Sequence, residues 1–184
     1  MVGQDSTTLS VVTTARLADE AAGPLLAGLL DEYTSRYGPG AAAEFTKQPE
    51  ALFNEEHGGA VVLLVEGGET VAGGALRAFD HELIGSVALD AGFPDRPTAE
   101  FKRIWTHAGH RRRGFGRRVL TELERRSVEL GYRQVFLTTG PSQPEAVGLY
   151  VAAGYTELPD RNAESRGYAI HPFVKVLSHV ESVG

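Results

Sequence analysis

The chain contains no cysteine in its 184 residues. That excludes a disulfide framework, a thiol nucleophile and cysteine-ligated zinc or iron–sulfur centres. Methionine occurs once, at Met1, and tryptophan once, at Trp105. No apolar run approaches the roughly 20 residues that a membrane-crossing helix needs, so no membrane partner is expected. Residues 1–10 lack a basic segment followed by an apolar one, and do not read as a secretory leader. A cytoplasmic protein is the expectation. His57, His81, His171 and His179 show no metal-ligand spacing, and no metal is expected. There is no internal repeat, low-complexity tract or obvious linker. What is present is ordinary: 42% hydrophobic and 23% charged residues, the values of a globular chain. The length predicts one domain, burying roughly two thirds of its unfolded surface without staples.

Positive charge is scarce except in one place. Eighteen basic and 24 acidic residues give a net charge of -6. Residues 1–101 hold 5 basic and 16 acidic side chains, whereas residues 102–133 hold 10 basic and 3 acidic. A basic segment in an acidic protein points to a bounded anion site, not to a general nucleic-acid surface.

Hydrophobic periodicity predicts the elements. Residues 9–15 are β-branched and read as a strand. Ala22, Leu25, Leu26, Leu29, Leu30, Tyr33 and Tyr37 follow helical spacing over residues 20–37, with Asp19 or Gly23 as the cap and Gly38-Pro39-Gly40 as the stop. Residues 41–58 read as a polar connection with a short helix near 48–54. Residues 60–66 form a continuous apolar strand, and Gly67-Gly68 turns the chain into a partner over 70–79. Residues 80–98 read as an irregular excursion. A strand over 99–106 and a helix over 114–130 follow. On that helix Phe115, Val119, Leu123, Ser127 and Leu130 share a face, and Glu122 pairs with Arg126 at i,i+4. Gly131 ends it. A strand covers 133–139. Ser142-x-x-Glu145 has the form of a capping box and opens a helix with Ala146, Leu149, Tyr150 and Ala153 on one face. Residues 168–176 suggest a last strand, with Pro172 at an edge or bulge. The order β–α–β–β–β–α–β–α–β defines a mixed α/β layered domain.

The informative stretch is IWTHAGHRRRGFGRRVL, residues 104–120. A strand enters a loop with Arg111-x-x-Gly114-x-Gly116, and a helix begins there. A helix N-terminus leaves N–H groups unpaired and carries about half a positive charge. Glycines let an anion approach the backbone, and arginines add charge-assisted hydrogen bonds. A phosphate or pyrophosphate is the natural ligand. The stretch lacks the Lys-Ser/Thr ending of a Walker loop and the full spacing of the dinucleotide fingerprint. A solvated basic loop is the bland alternative.

With these residues in view, the chain resembles the GNAT family of N-acetyltransferases over about residues 9–176. Arg111, Arg112, Arg113, Gly114, Phe115 and Gly116 match the family's Q/R-x-x-G-x-G/A motif. AEFKRIWT, residues 99–106, is similar to the A-E-I-K-R-M-Y-V strand of a bacterial subgroup. QPEAVGLYVAAGY, residues 143–155, is similar to the family's N-x-x-A-x-x-L-Y-x-x-x-G-F/Y segment. The resemblance implies one acetyltransferase-like domain over 1–184, with a mixed, mostly antiparallel twisted sheet and helices on both faces. It implies acetyl-CoA as co-substrate, the pyrophosphate lying on amides from Arg112 to Gly116 with Arg117. The backbone of Ile104 to Thr106, through Trp105, would bind the pantetheine arm and the acetyl carbonyl. Tyr150 matches the tyrosine that protonates the departing thiolate, and Gln143 stands where many members have the shorter Asn. Members often pair through C-terminal strands, so the resemblance extends to a homodimer.

Amide formation from a thioester needs a neutral amine, a stabilised oxyanion and a thiolate that can leave. Glu100 is the candidate base, its phase under two-residue alternation matching Lys102 and Ile104; an ion pair with Lys102 or Arg103 is the alternative. Backbone N–H groups would hold the oxyanion. Tyr150, with an ordinary pKa of about 10, can protonate a thiolate whose conjugate acid lies near about 8.5; a core aromatic is its alternative. Trp105 and Phe101 are also candidates for packing against helices. His107 and His110 flank the cradle. No covalent enzyme intermediate is implied.

The expected activity is direct acetyl transfer from acetyl-CoA to a primary amine of a small molecule or peptide. A non-catalytic acyl-CoA-binding sensor or scaffold of the same fold is the alternative. A nucleic-acid partner is disfavoured by the acidic remainder. The acidic N-terminal half would favour a cationic acceptor, although acids so dispersed are mostly solvated surface. Tyr33, Tyr37, Phe45 and Phe79 are candidates for an acceptor pocket or for core.

Overall fold

The computed structural model describes residues 9–41, 48–80, 96–160 and 163–178. Its centre is a seven-stranded sheet in the order β1-β2-β3-β4-β5-β7-β6. The strands are β1 (Leu9–Ala15), β2 (Ala60–Glu66), β3 (Glu69–Ala78), β4 (Thr98–Thr106), β5 (Gln134–Thr139), β6 (Thr156–Glu157) and β7 (His171–Val176). Every neighbouring pair is antiparallel except β4–β5, which is parallel. The helices are α1 (Gly23–Tyr37), α2 (Phe115–Glu129), α3 (Pro144–Ala152) and the four-residue α4 (Ala163–Arg166). Among the described residues no helix is long and apolar enough to cross a membrane.

Strand alternation sends side chains to two separate cores. Val61, Leu63, Ala75 and Trp105 join Leu25 and Leu29 of α1 on one face. Val62, Leu64, Leu76 and Phe101 join Val119, Leu120 and Leu123 of α2 and Tyr150 of α3 on the other. Helices therefore cover both faces, as the resemblance implied. β2 is buried on both sides, which explains its unbroken apolar sequence.

The predicted strands and three main helices all form, with small differences at their ends. The α1 region opens with a 3-10 turn over Glu20–Ala22, and Asp19 anchors it by accepting from the Arg16 N–H at 2.7 Å. The connection before β2 carries two 3-10 turns, Glu50–Phe53 and Glu55–His57, with Phe53 buried. Of the expected excursion over 80–98, residues 81–95 lie outside the described residues, as does Phe45. The sequence pattern did not show β6 or α4.

Two local expectations are corrected. Glu122 does not pair with Arg126: it meets Arg125 at 3.0 Å, while Arg126 turns to Glu129 and to Glu55. The capping box does not form either. Gln143, not Ser142, is the cap residue of α3, and it makes no side-chain cap hydrogen bond. Its carbonyl Oε1 instead accepts from the Thr139 hydroxyl at 2.5 Å, and Glu145 pairs with Arg36 of α1. Tertiary partners outcompete the local motif here.

Candidate functional site

The site begins where β4 and β5 part. Their parallel register runs from Thr98↔Gln134 to Phe101↔Leu137 and stops. Beyond it, Lys102–Thr106 stay paired only with β3. The cause lies in β4 itself. Lys102 opposes Ala75 and Trp105 opposes Gly73, so Arg103 and Ile104 share one partner residue on β3. This is a β-bulge, and Arg103 sits in it at φ 59°, a left-handed conformation that costs a non-glycine residue about 1–2 kcal/mol.

The bulge also changes which way β4 faces. Ile104 was expected to share the face of Glu100 and Lys102. It packs instead on the α2 side, whereas Trp105 joins the α1 core. Gly28 of α1 makes room for that indole, since a Cβ there would overlap it.

The wedge between the strands is a cavity of about 420 Å³. Leu29, Glu32 and Tyr33 of α1 line one side. Phe101 to Thr106 of β4 form its floor. Thr138, Thr139, Gln143, Glu145, Ala146, Leu149 and Tyr150 close the other side. Arg111, Arg112, Gly114, Phe115, Gly116 and Arg117 form the remaining wall at the start of α2. The cavity thus brings together every expected cofactor-binding and catalytic residue except Arg113 and Glu100.

The arginine loop is shaped for an anion. Arg112 has φ 62° and Gly114, the N-cap of α2, has φ 80°. Successive turns of this kind direct backbone N–H groups toward one point. A Cβ on Gly114 would meet nothing within 4 Å, so its glycine is required by conformation. Gly116 differs: a Cβ there would lie 3.1 Å from Leu149 Cδ2, so its glycine lets α3 pack against α2. Arg117 donates to the Ala152 carbonyl at 3.0 Å, and Arg111 pairs with Glu32. Arg113 turns outward, donating to both Glu66 oxygens at 2.8 and 2.7 Å and covering the Phe115 ring. That guanidinium holds the Glu66 carboxyl below its usual range. The two loop histidines brace the turn. His107 Nδ1 accepts from the Gly109 N–H at 3.1 Å, and His110 Nε2 lies 3.3 Å from Glu66.

The two catalytic candidates are placed very differently. Tyr150 is 6% exposed yet lines the cavity. Burial, with the nearby Tyr33, pushes its phenol above the ordinary value, so it keeps its proton. Glu100 is 1% exposed and does not line the cavity. Arg77 Nε donates to its Oε2 at 2.7 Å, and Lys102 Nζ lies 2.9 Å from its Oε1. The ion-pair alternative therefore describes its surroundings, with Arg77 in place of Arg103.

Lys102, Arg103, Thr138 and Thr139 were not singled out as cavity residues in the sequence. Their signal is the bulge and the end of the β4–β5 ladder, neither of which has a sequence signature here. Tyr33 lines the cavity as one alternative held. Tyr37 packs its hydroxyl on Gly140, and Phe79 packs edge-on against Phe136 at 5.1 Å.

A mixed sheet splayed between two parallel strands, with an arginine- and glycine-bearing loop at one end of the wedge, defines an acyl-CoA N-acyltransferase fold. The comparisons agree: residues 26–155 match the acetyltransferase (GNAT) family, and the chain belongs to that family. No curated protein matches it. Among solved structures, a GNAT-family acetyltransferase from Staphylococcus aureus is 14% identical with a TM-score of 0.65, covering 93% of this chain and 100% of its own. An acetyltransferase from Streptococcus agalactiae is 14% identical with a TM-score of 0.66, covering 92% and 98%. The ribosomal-protein-S18-alanine N-acetyltransferase from Escherichia coli is 15% identical with a TM-score of 0.58, covering 96% and 99%. At these identities the likeness is one of fold.

Proposed function

We propose that the protein transfers an acetyl group from acetyl-CoA directly to a primary amine of a small molecule or peptide. The observation that carries this is the β4–β5 wedge, which runs from the loop at the N-terminus of α2 to Tyr150. The residues present fit the co-substrate. Arg112, with no partner among the described residues, and the N–H groups around Gly114 and Gly116 suit its pyrophosphate. The β4 backbone beyond Phe101 has no partner on β5 and suits an extended amide-bearing arm. Gln143 has its carbonyl taken by Thr139, which leaves its NH2 group as a donor toward such an arm.

When bound, acetyl-CoA supplies a thioester whose carbonyl carbon is the acetyl donor. The chain's own part is threefold. β4 N–H groups freed by the bulge stabilise negative charge on the carbonyl oxygen. The walls hold the amine against the carbonyl carbon, which lowers the entropic barrier. The Tyr150 hydroxyl gives its proton to sulfur as the C–S bond breaks and the C–N bond forms, and the proton lost from nitrogen passes to water. Glu100 enters this reading as a positioning residue for Lys102, whose Nζ lies 2.9 Å from its Oε1.

Isothermal calorimetry with acetyl-CoA, desulfo-CoA and 3′,5′-ADP tests the cofactor half. Micromolar binding of acetyl-CoA is the expected result, and no binding of any of the three would remove it. Tyr150→Phe tests the chemical half. Acetyl-CoA affinity should persist while turnover, followed by thiol release, falls about 10²- to 10⁴-fold. Unchanged turnover would sink the assignment.

A further inference from the structure

The cavity floor on the α1 side carries more positive than negative charge. Arg77 of β3 and Glu100 of β4 are 2% and 1% exposed. Glu100 Oε2 is engaged by Arg77 Nε at 2.7 Å and Nη2 at 2.5 Å. Its Oε1 faces Lys102 Nζ at 2.9 Å. One buried carboxylate thus serves two cations. Arg77 Nη1 is buried without a hydrogen-bond partner among the described residues, and Arg77 Nη2 and Glu100 Oε1 meet their partners as ion pairs without hydrogen-bond geometry.

Lys102 is the member of this chain that reaches the cavity. Its side chain is 28% exposed and lines the floor. The two carboxylates on the described walls are already engaged, Glu32 by Arg111 and Glu145 by Arg36. A partly buried surplus cation is costly unless an anion joins it. An ammonium has three donors, and the Glu100 pair occupies one direction only. Phosphate groups do not need Lys102, because the arginine loop and the start of α2 form a separate wall. Lys102 instead sits at the point where the ladder ends, on the face of the sheet that α1 covers.

We propose that the acceptor amine carries a carboxylate, as an amino acid or a peptide with a free C-terminus does, and that Lys102 binds it. Arg77 and Glu100 hold the ammonium in place and act as positioning residues. This deepens the acetyltransferase reading and rests on it. It reverses the cationic acceptor expected from the acidic N-terminal half: the lining carboxylate that half supplies, Glu32, is paired with Arg111, and the floor beyond it carries Lys102.

The test compares acceptors in a thiol-release assay, once acetyl-CoA binding has been measured. The panel contains the common L-amino acids and glycyl dipeptides, each beside its carboxamide and its decarboxylated amine. The expected best acceptor carries a carboxylate, and its carboxamide has a kcat/KM at least tenfold lower, mostly through KM. Lys102→Met should raise KM for the acid at least tenfold, erase the difference between acid and amide, and leave acetyl-CoA affinity within about twofold. Lys102→Arg should keep the preference. The inference is overturned if amide or amine equals the acid, if no carboxylate-bearing acceptor is turned over by a protein that binds acetyl-CoA, or if Lys102→Met keeps the preference. Should Lys102→Met fail to fold, the comparison of acid and amide on the unaltered protein still decides. Absence of acetyl-CoA binding would instead defeat the acetyltransferase reading.

Discussion

Glu100 shows how much one residue's environment decides. Its sequence position, on a strand leading into the loop, suited a base. Its surroundings make it the hinge of an ion-pair chain from Arg77 to Lys102. Removing one member of a buried pair leaves the other charge stranded, which costs about 3–5 kcal/mol, whereas replacing both by apolar groups is often neutral. Glu100→Ala should therefore lower the urea midpoint strongly, and Arg77→Met with Glu100→Leu should recover most of the loss. Equal losses in the single and double variants would contradict this account. Motif residues were legible because their roles are local. Gly114 is needed for φ 80° and opens a helix. Gly116 was read as clearance for an anion, and the structure adds a second reason for it, packing clearance for Leu149. That reason depends on where α3 lands, which no residue near Gly116 encodes.

At the scale of elements, periodicity was a sound guide. The strands and three main helices were legible because burial on one or both faces imposes a period on the sequence. The bulge at Arg103–Ile104 was not legible, because it is set by the pairing of Lys102 with Ala75 and of Trp105 with Gly73. It inverts the facing of everything after it on β4. The same pairing makes a prediction for hydrogen exchange. Amides of Ala99–Phe101 lie in a segment paired on both sides, and should be slow with or without ligand. The segment Lys102–Thr106 has lost its β5 partner and should slow markedly when acetyl-CoA binds. Equal protection in both segments before and after binding would show that the wedge is not the binding site. The helix α3 was expected to cap itself. Arg36, which also donates to the Ser142 carbonyl at 2.6 Å, ties it to α1 instead.

For the whole molecule, three of the six tyrosines are held above their ordinary pKa. Burial is the first cause in each. Tyr155 is also beside Glu124, to which its hydroxyl donates at 3.0 Å, and the Tyr132 hydroxyl donates to the Gly58 carbonyl at 2.7 Å. A raised pKa in the fold means that the folded state keeps these protons when the unfolded chain begins to lose them, near about pH 10. Their contribution is complete below that pH and fades above it. The thermal midpoint should be insensitive to these groups up to about pH 9 and fall steeply beyond 10. Ultraviolet titration should show a late phenolate fraction that ionises only with unfolding; all six ionising together before the fold melts would refute it. Charge at this scale was legible as a number and misleading as a guide. The acidic half of the chain supplies the cavity with Glu32, which is already paired with Arg111.

The parting of β4 from β5 has one more consequence. A gap within a sheet, unlike a groove on its surface, is flanked by both layers of helices: α1 borders it from one face, α2 and α3 from the other. Under the proposed function, donor and acceptor would occupy it together, and no side chain need carry the acetyl group between visits. Initial rates measured against each substrate at fixed levels of the other should give double-reciprocal lines that intersect. Parallel lines would mean that the first product leaves before the second substrate arrives, and would overturn direct transfer.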